Sequence, residues 1–138
     1  MALTPEKKVK NQVVKLLKSH SIYYFFPATG GYGRSGVPDI VCCVSGQFVG
    51  IECKAGANPT TALQTRELEH IALADGLALV VNEDTIDALN SILEILMSLP
   101  IVKGAGAFQD LRVITSVSSE DELQQHLLHI LPWNSRVH

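Results

Sequence analysis

Apolar positions in this chain follow a helical period up to about residue 20 and then turn into short blocks. In residues 5–19, Val9, Val13, Leu16 and Leu17 recur at helical spacing, and His20 continues the stripe. Thr4-Pro5 opens that stretch as an N-cap followed by proline at the first helical position. Residues 22–26, Ile-Tyr-Tyr-Phe-Phe, read as a short edge or early strand ended by Pro27. Residues 40–44 and 48–51 are apolar runs around Ser45-Gly46-Gln47, which predicts a tight β-hairpin. After a turn-rich connection, Thr61 (or Thr60) and Gln64 fit a capping box. The helix they open is expected to run to Asp75 and stop at Gly76, with Leu68, Ile71 and Ala72 inward. Residues 77–81 are wholly apolar, as in a buried parallel strand. Thr85 then caps a helix that turns Ile86, Leu89, Ile92, Leu93 and Leu96 inward. The order α-β-β-β-α-β-α predicts an α/β domain, a small mixed central sheet flanked by helices.

The remaining stretch is patterned differently. Residues 101–108 are rich in glycine and alanine and read as a linker, and residues 111–115 as a strand. Ser119 followed by Glu122 opens another helix, with Leu123, Leu127 and Ile130 as its stripe and Leu128, Leu131 and Trp133 adding apolar surface. The expected organisation is a core over residues 1–100 and a strand-helix extension over 101–138. The extension packs on the same domain or at a dimer interface. His126 and His129 share a helix face, but no third ligand stands out, and a solvated face is the simpler reading.

Composition narrows the class. With 138 residues the chain can bury one real core. Residues 1–18 contain no apolar signal-peptide segment, and polar residues interrupt the longest apolar stretch, residues 86–99, so no membrane association is expected. Cys42, Cys43 and Cys53 lie in predicted strands, which suits a reducing compartment rather than a disulfide framework. Cys42 and Cys43 point to opposite faces and make poor joint ligands. Net charge is −3, yet Lys7, Lys8, Lys10, Lys15 and Lys18 crowd the first 20 residues against Glu6 alone. That end can face phosphate, or the lysines can simply be solvated.

Chemistry concentrates at the open end of the hairpin. Asp39 precedes its first strand, and Glu52 and Lys54 close its second on one face, with Cys53 on the other. With Val44 set opposite Phe48, Asp39 falls within a residue of Glu52. Burying two carboxylates and an ammonium is costly unless they pair or hold a metal. Carboxylate oxygens suit Mg²⁺, and a lysine nearby can orient a water or stabilise phosphate charge. A structural ion pair is the plain alternative.

Gly36-Val37-Pro38-Asp39, Ile51-Glu52-Cys53-Lys54 and then Gln64 resemble the PD-(D/E)xK nuclease pattern, and within it the VRR-NUC branch, across roughly residues 4–99. The resemblance implies a restriction-endonuclease-like core and a Mg²⁺-dependent endodeoxyribonuclease, with Mn²⁺ as substitute and no organic cofactor. By that likeness Asp39, Glu52 and the carbonyl of Cys53 hold the metal, Glu6 of the first helix joins them, Lys54 assists the water and Gln64 lies beside them. The stand-alone phage and bacterial type implies a homodimer in a bacterial or host cytoplasm. It also implies a structure-selective enzyme that cuts branched DNA such as four-way (Holliday) junctions, leaving 5′-phosphate and 3′-hydroxyl ends.

On the residues alone, Glu6 is either that helix-borne acid or a first-turn acid favouring the helix dipole. Gln64 can cap its helix, reach the site, or do both. Candidate DNA contacts are Lys7, Lys8, Lys10 and Lys15, with Tyr32 to stack and Arg34 to clamp a phosphate from the glycine-rich loop 28–36. That loop matches no phosphate-cradling fingerprint. Rival functions are a flap or duplex nuclease acting as a monomer, a DNA-binding or assembly module without turnover, and a purely structural protein.

Overall fold

The computed structural model describes residues 3–28 and 33–98, together with the backbone of residues 113–114. The first helix, α1 (Pro5–Ser19), begins where the sequence places it. Thr4 is extended and its hydroxyl accepts the Lys7 N–H at 3.2 Å. Val9, Val13 and Leu17 are its buried line. His20 does not extend that line but serves as C-cap, its Nε2 2.6 Å from Asn90 Oδ1.

Three strands follow, β1 (Tyr23–Phe25), β2 (Ile40–Val44) and β3 (Gln47–Cys53). β2 and β3 form the expected hairpin in a register one residue tighter than expected. Val44 pairs with Gln47, not Phe48, so the turn is Ser45-Gly46 alone. Both turn residues have positive φ, 50° and 83°, the backbone of a two-residue hairpin turn that matches strand twist. The tighter register pairs Ile40 with Ile51, so Asp39 faces Glu52 where the ladder ends. β1 is the edge strand, antiparallel to β2.

The second helix, α2 (Ala62–Leu73), ends two residues before Asp75, its predicted last residue. Asp75, not Gly76, takes the left-handed position, with φ 65°. Gly76 N–H then bonds Ile71 O at 2.8 Å and Asp75 N–H bonds Ala72 O at 3.1 Å, a Schellman close. Glycine is needed at 76 for space, since a Cβ there would lie 2.7 Å from Ile71 Cγ2. β4 (Leu77–Val81) pairs in parallel with β3, and α3 (Ile86–Ser98) follows. β5 (Val113–Ile114) adds a parallel pairing at the β4 edge, giving the order β1-β2-β3-β4-β5.

Alternation along the strands builds three layers. Ile40, Cys42, Val44, Val49, Ile51, Cys53, Leu77, Leu79 and Val81 point one way, into a core shared with Val9, Val13 and Leu17 of α1 and Leu89, Ile92, Leu93 and Leu96 of α3. The other face carries Val41, Phe48, Gly50 and Glu52 and meets α2 through Leu68, Ile71 and Ala72. The absence of a side chain at Gly50 admits that helix, because a Cβ there would stand 2.8 Å from Ile71 Cδ1. The α/β class and mixed sheet therefore agree with the sequence reading. The linker, helix and histidine pair expected between residues 101 and 138 lie outside the described residues, except for the backbone of 113–114.

Candidate active site

Asp39 and Glu52 come together because the two-residue turn fixes their register across the hairpin. Asp39 Oδ2 accepts the Cys53 N–H at 2.8 Å, which locks the carboxylate over the end of β3. Glu52 is 3% exposed. Its Oε1 accepts a hydrogen bond from Gln64 Nε2 at 3.0 Å. Its Oε2 is buried and has no hydrogen-bond partner among the described residues. An orphaned carboxylate oxygen in the interior is expensive. Its effect is visible in the acidity, since the Glu52 carboxyl is pushed up to about 8. Burial is the main cause, followed by the negative charge of Asp39, with Lys54 acting in the opposite direction.

Gln64 fills the capping and site roles together. Its Oε1 accepts the Thr61 N–H at 2.9 Å while Thr61 Oγ1 accepts the Gln64 N–H at 3.2 Å, completing the capping box. The same amide's Nε2 is left to face Glu52. Gly36 brings the two parts into register. With φ +83° it packs so closely on α2 that a Cβ would lie 2.6 Å from the Leu63 carbonyl carbon. Pro38 and Asp39 follow directly, so Asp39's strand start is seated against the turn of α2 that carries Gln64.

Lys54 is 8% exposed. Its N–H donates to Val81 O at 2.9 Å, carrying the parallel ladder one step past β3. Its Nζ lies 3.8 Å from Glu6 Oε1. Glu6 thus approaches the site from the first turn of α1, half-exposed and through the lysine. The Cys53 side chain belongs to the opposite core, where burial and then Asp39 push its thiol far upward, so its sulfur is inert. Its main chain lies between Glu52 and Lys54. Among the described residues no group of three or more His, Cys, Asp and Glu that could hold a metal is present. The side-chain donors at the site are the pair Asp39 and Glu52, and further ligands would have to be main-chain oxygen or water.

Several residues emerge that sequence reading missed. The turn after Lys54 is clamped on both sides of Gly56. Its N–H donates to both Glu83 carboxylate oxygens at 2.9 and 3.0 Å, and its carbonyl accepts from Asn82 Nδ2 at 3.0 Å. These bonds hold the Glu83 carboxyl below its usual range. The second omission is Glu67, buried on α2 and gripped by Arg34, with Nη2 to Oε2 and Nε to Oε1 both 2.9 Å. A carboxylate three residues after Gln64 and beside Leu68, on the inward stripe, was the available signal. Arg34 is therefore committed to a carboxylate through two of its nitrogens. Lys10 Nζ sits 4.3 Å from the centre of the Phe26 ring. Lys7, Lys8 and Lys15 are exposed around α1, away from its buried line. Tyr32 lies outside the described residues. His70 is at the surface, its Nδ1 3.5 Å from Glu67 Oε2.

Comparison with protein-family models, curated proteins and solved structures found no match to this chain. No helix among the described residues is long and apolar enough to cross a membrane.

Proposed function

We propose that the chain is a metal-dependent DNA endonuclease of the PD-(D/E)xK type, with a restriction-endonuclease-like core and a VRR-NUC-like site. The observation that carries this reading is Glu52. A glutamate 3% exposed, with one oxygen unbonded and an aspartate facing it, lacks a positive partner within ion-pair distance among the described residues. The donor set is hard oxygen, so Mg²⁺ or Mn²⁺ fits it. Asp39 and Glu52 would hold the ion, with the Cys53 carbonyl and water completing the shell and Glu6 contributing through water or through Lys54. The cation, when bound, would neutralise charge developing on the phosphate during in-line displacement.

The chain's own residues supply the rest. The Cys53 N–H and the Gln64 amide fix the two carboxylates before substrate arrives, so little reorganisation is left for the reaction. Lys54 Nζ, mostly shielded from solvent, donates to and orients the attacking water. Glu6 restrains that ammonium from the side of α1. The exposed lysines of α1 attract the DNA backbone without reading sequence. The proposed products are a 5′-phosphate and a 3′-hydroxyl. The proposed substrate is branched DNA, with a homodimer placing two sites on the two equivalent strands of a junction. The proposed setting is a bacterial or phage-infected cytoplasm.

The test is cleavage of a four-way junction, a flap, a duplex and a single strand. Wild type, Asp39→Asn and Glu52→Gln are compared with Mg²⁺, with Mn²⁺ and in chelator. Cleavage that needs the ion and is lost in both variants, while DNA affinity is kept, supports the assignment. Cleavage that survives chelator and both substitutions removes it. Wild type that binds DNA and never cuts points instead to the DNA-binding module.

A further inference from the structure

A cavity of about 570 Å³ opens on the α2 face of the sheet, and the proposed chemistry does not use it. Its lining includes Phe25 of β1, Val41 of β2, Phe48 of β3, Pro38 and Ile71. It arises because, among the described residues, α2 packs over β3 and β4 on this face of the five-stranded sheet and leaves the β1–β2 half beside it open. Val41 pairs with Phe25 on one side and with Gly50, which lies under Ile71 and Pro38, on the other, so the valine forms the floor. Phe25 and Phe48 rise from strands two spacings apart, about 10 Å, and both rings are about half-exposed. The volume is in the range of small-ligand pockets, and the walls are apolar and aromatic.

The cavity also adjoins the carboxylate pair. Val41 is two residues beyond Asp39 on the same face of β2, and Pro38 lines the cavity directly before it. On α2, Gln64, Glu67 and Ile71 follow at helical spacing, the first bonded to Glu52 and the other two in the cavity wall. At the rim stands the guanidinium of Arg34. Glu67 holds it rigid through Nε and Nη2, and its side chain remains 67% exposed. A guanidinium pinned along one edge offers a flat face for stacking and leaves Nη1 free to donate.

We propose that this cavity takes one unstacked nucleobase, from the nucleotide next to the phosphate that a cation on Asp39 and Glu52 would meet. The inference rests on the nuclease reading and deepens it, naming the substrate class as DNA with an unpaired or easily extruded nucleotide beside the cut. A base offers a flat apolar ring to Phe25, Phe48 and the Arg34 plane, and its polar edge meets the Arg34–Glu67–His70 rim. Stacking of this kind tolerates any base, in keeping with the absence of a base-reading helix. Unpaired nucleotides are favoured because their extrusion costs least.

The experiment measures binding, in Ca²⁺, of a duplex with one bulged adenine against the same duplex with an abasic residue at the bulge. Wild type should prefer the base-bearing bulge by roughly five- to a hundredfold, the usual strength of a base stacked on aromatic side chains. Phe48→Ala, which removes a wall, and Ala74→Phe, which fills the cavity from the end of α2, should erase the preference and leave affinity for the abasic duplex unchanged. Equal binding of the two bulges by wild type overturns the proposal, whether or not junctions are cleaved. Base-dependent binding by a protein that cuts no DNA with Mg²⁺ keeps the pocket and removes the nuclease reading. Failure to bind either duplex removes both. A wild-type dimer that Phe48→Ala turns into a monomer shows this face to be a subunit interface and overturns the base pocket.

Discussion

Glu52→Gln should stabilise the metal-free protein above pH 4.5 while abolishing the proposed cleavage. In the folded state the Glu52 carboxyl keeps its proton up to about pH 8, against 4.5 for the ordinary group. A raised carboxyl contributes stability that is fully present below the unfolded value and is lost as pH rises through the folded one. Between pH 4.5 and 8 the unfolded chain has released a proton that the folded chain retains, so stability falls throughout that window. At about 1.4 kcal/mol per pH unit the interval comes to roughly 5 kcal/mol. Glutamine keeps the shape and removes the titration. Urea unfolding in chelator at pH 5, 6.5 and 8 checks this. With a slope of about 1–3 kcal/mol per M, the wild-type midpoint should drop by roughly 2 M or more and that of Glu52→Gln should stay nearly level. The buried Cys42 thiol, pushed up to about 12, titrates outside this range. Glu83, lowered by its Gly56 bonds, adds a slope of opposite sign only in acid. Millimolar Mg²⁺ at pH 8 should restore wild type and leave Glu52→Gln unmoved, because a cation favours the ionised pair. A wild-type midpoint that is level with pH, or a glutamine variant that falls in parallel, refutes the reasoning.

Arg34→Ala should cost about 1–3 kcal/mol in urea unfolding, because it removes the two hydrogen bonds to the buried Glu67 carboxylate from a side chain that is itself largely exposed. Adding Glu67→Leu should recover most of that loss, and a double-mutant cycle with no coupling would show the pair to be idle. Gly36→Ala should cost about 2 kcal/mol or more, since it combines a left-handed φ with a 2.6 Å approach to main-chain atoms of Leu63. It should also reduce cleavage beyond the loss of folded protein, because Asp39 and Gln64 shift apart. Reversing the charge of Lys7, Lys8 and Lys15 should weaken binding to unrelated DNA sequences equally and flatten its salt dependence. Unchanged salt slopes would leave those lysines as a solvated face.

Elements were legible in this sequence wherever a local signal sufficed. Thr4-Pro5 marks the start of α1, the Thr61–Gln64 box marks α2, and the unbroken apolar run of residues 77–81 marks the parallel strand. The errors arose where geometry decides between neighbours. Nothing local distinguishes a two-residue from a three-residue turn at Ser45-Gly46-Gln47, because serine takes the left-handed conformation there without being glycine. The same ambiguity moved the end of α2, where Asp75 occupies the left-handed position and Gly76 is kept for close packing. The Arg34–Glu67 pair and the Gly56 clamp were invisible for another reason. Each joins segments more than 20 residues apart, and no periodicity encodes such contacts.

The same one-residue register bears on the choice between a structural ion pair and a functional site. A pair kept for stability alone would set the Lys54 ammonium against Glu52 or Asp39 and satisfy every oxygen. Instead, the carboxylate that Lys54 Nζ pairs with is Glu6, at the longer distance of 3.8 Å, and Glu52 Oε2 bonds nothing. The hydrogen bonds that do form, from the Cys53 N–H and Gln64 Nε2, hold the carboxylates still without neutralising them. Replacement of such a cluster by apolar side chains is commonly neutral or stabilising. Two acids fixed in place, left short of positive charge among the described residues and adjoined by a shielded lysine are what the proposed cation site requires and what a brace for the hairpin does not.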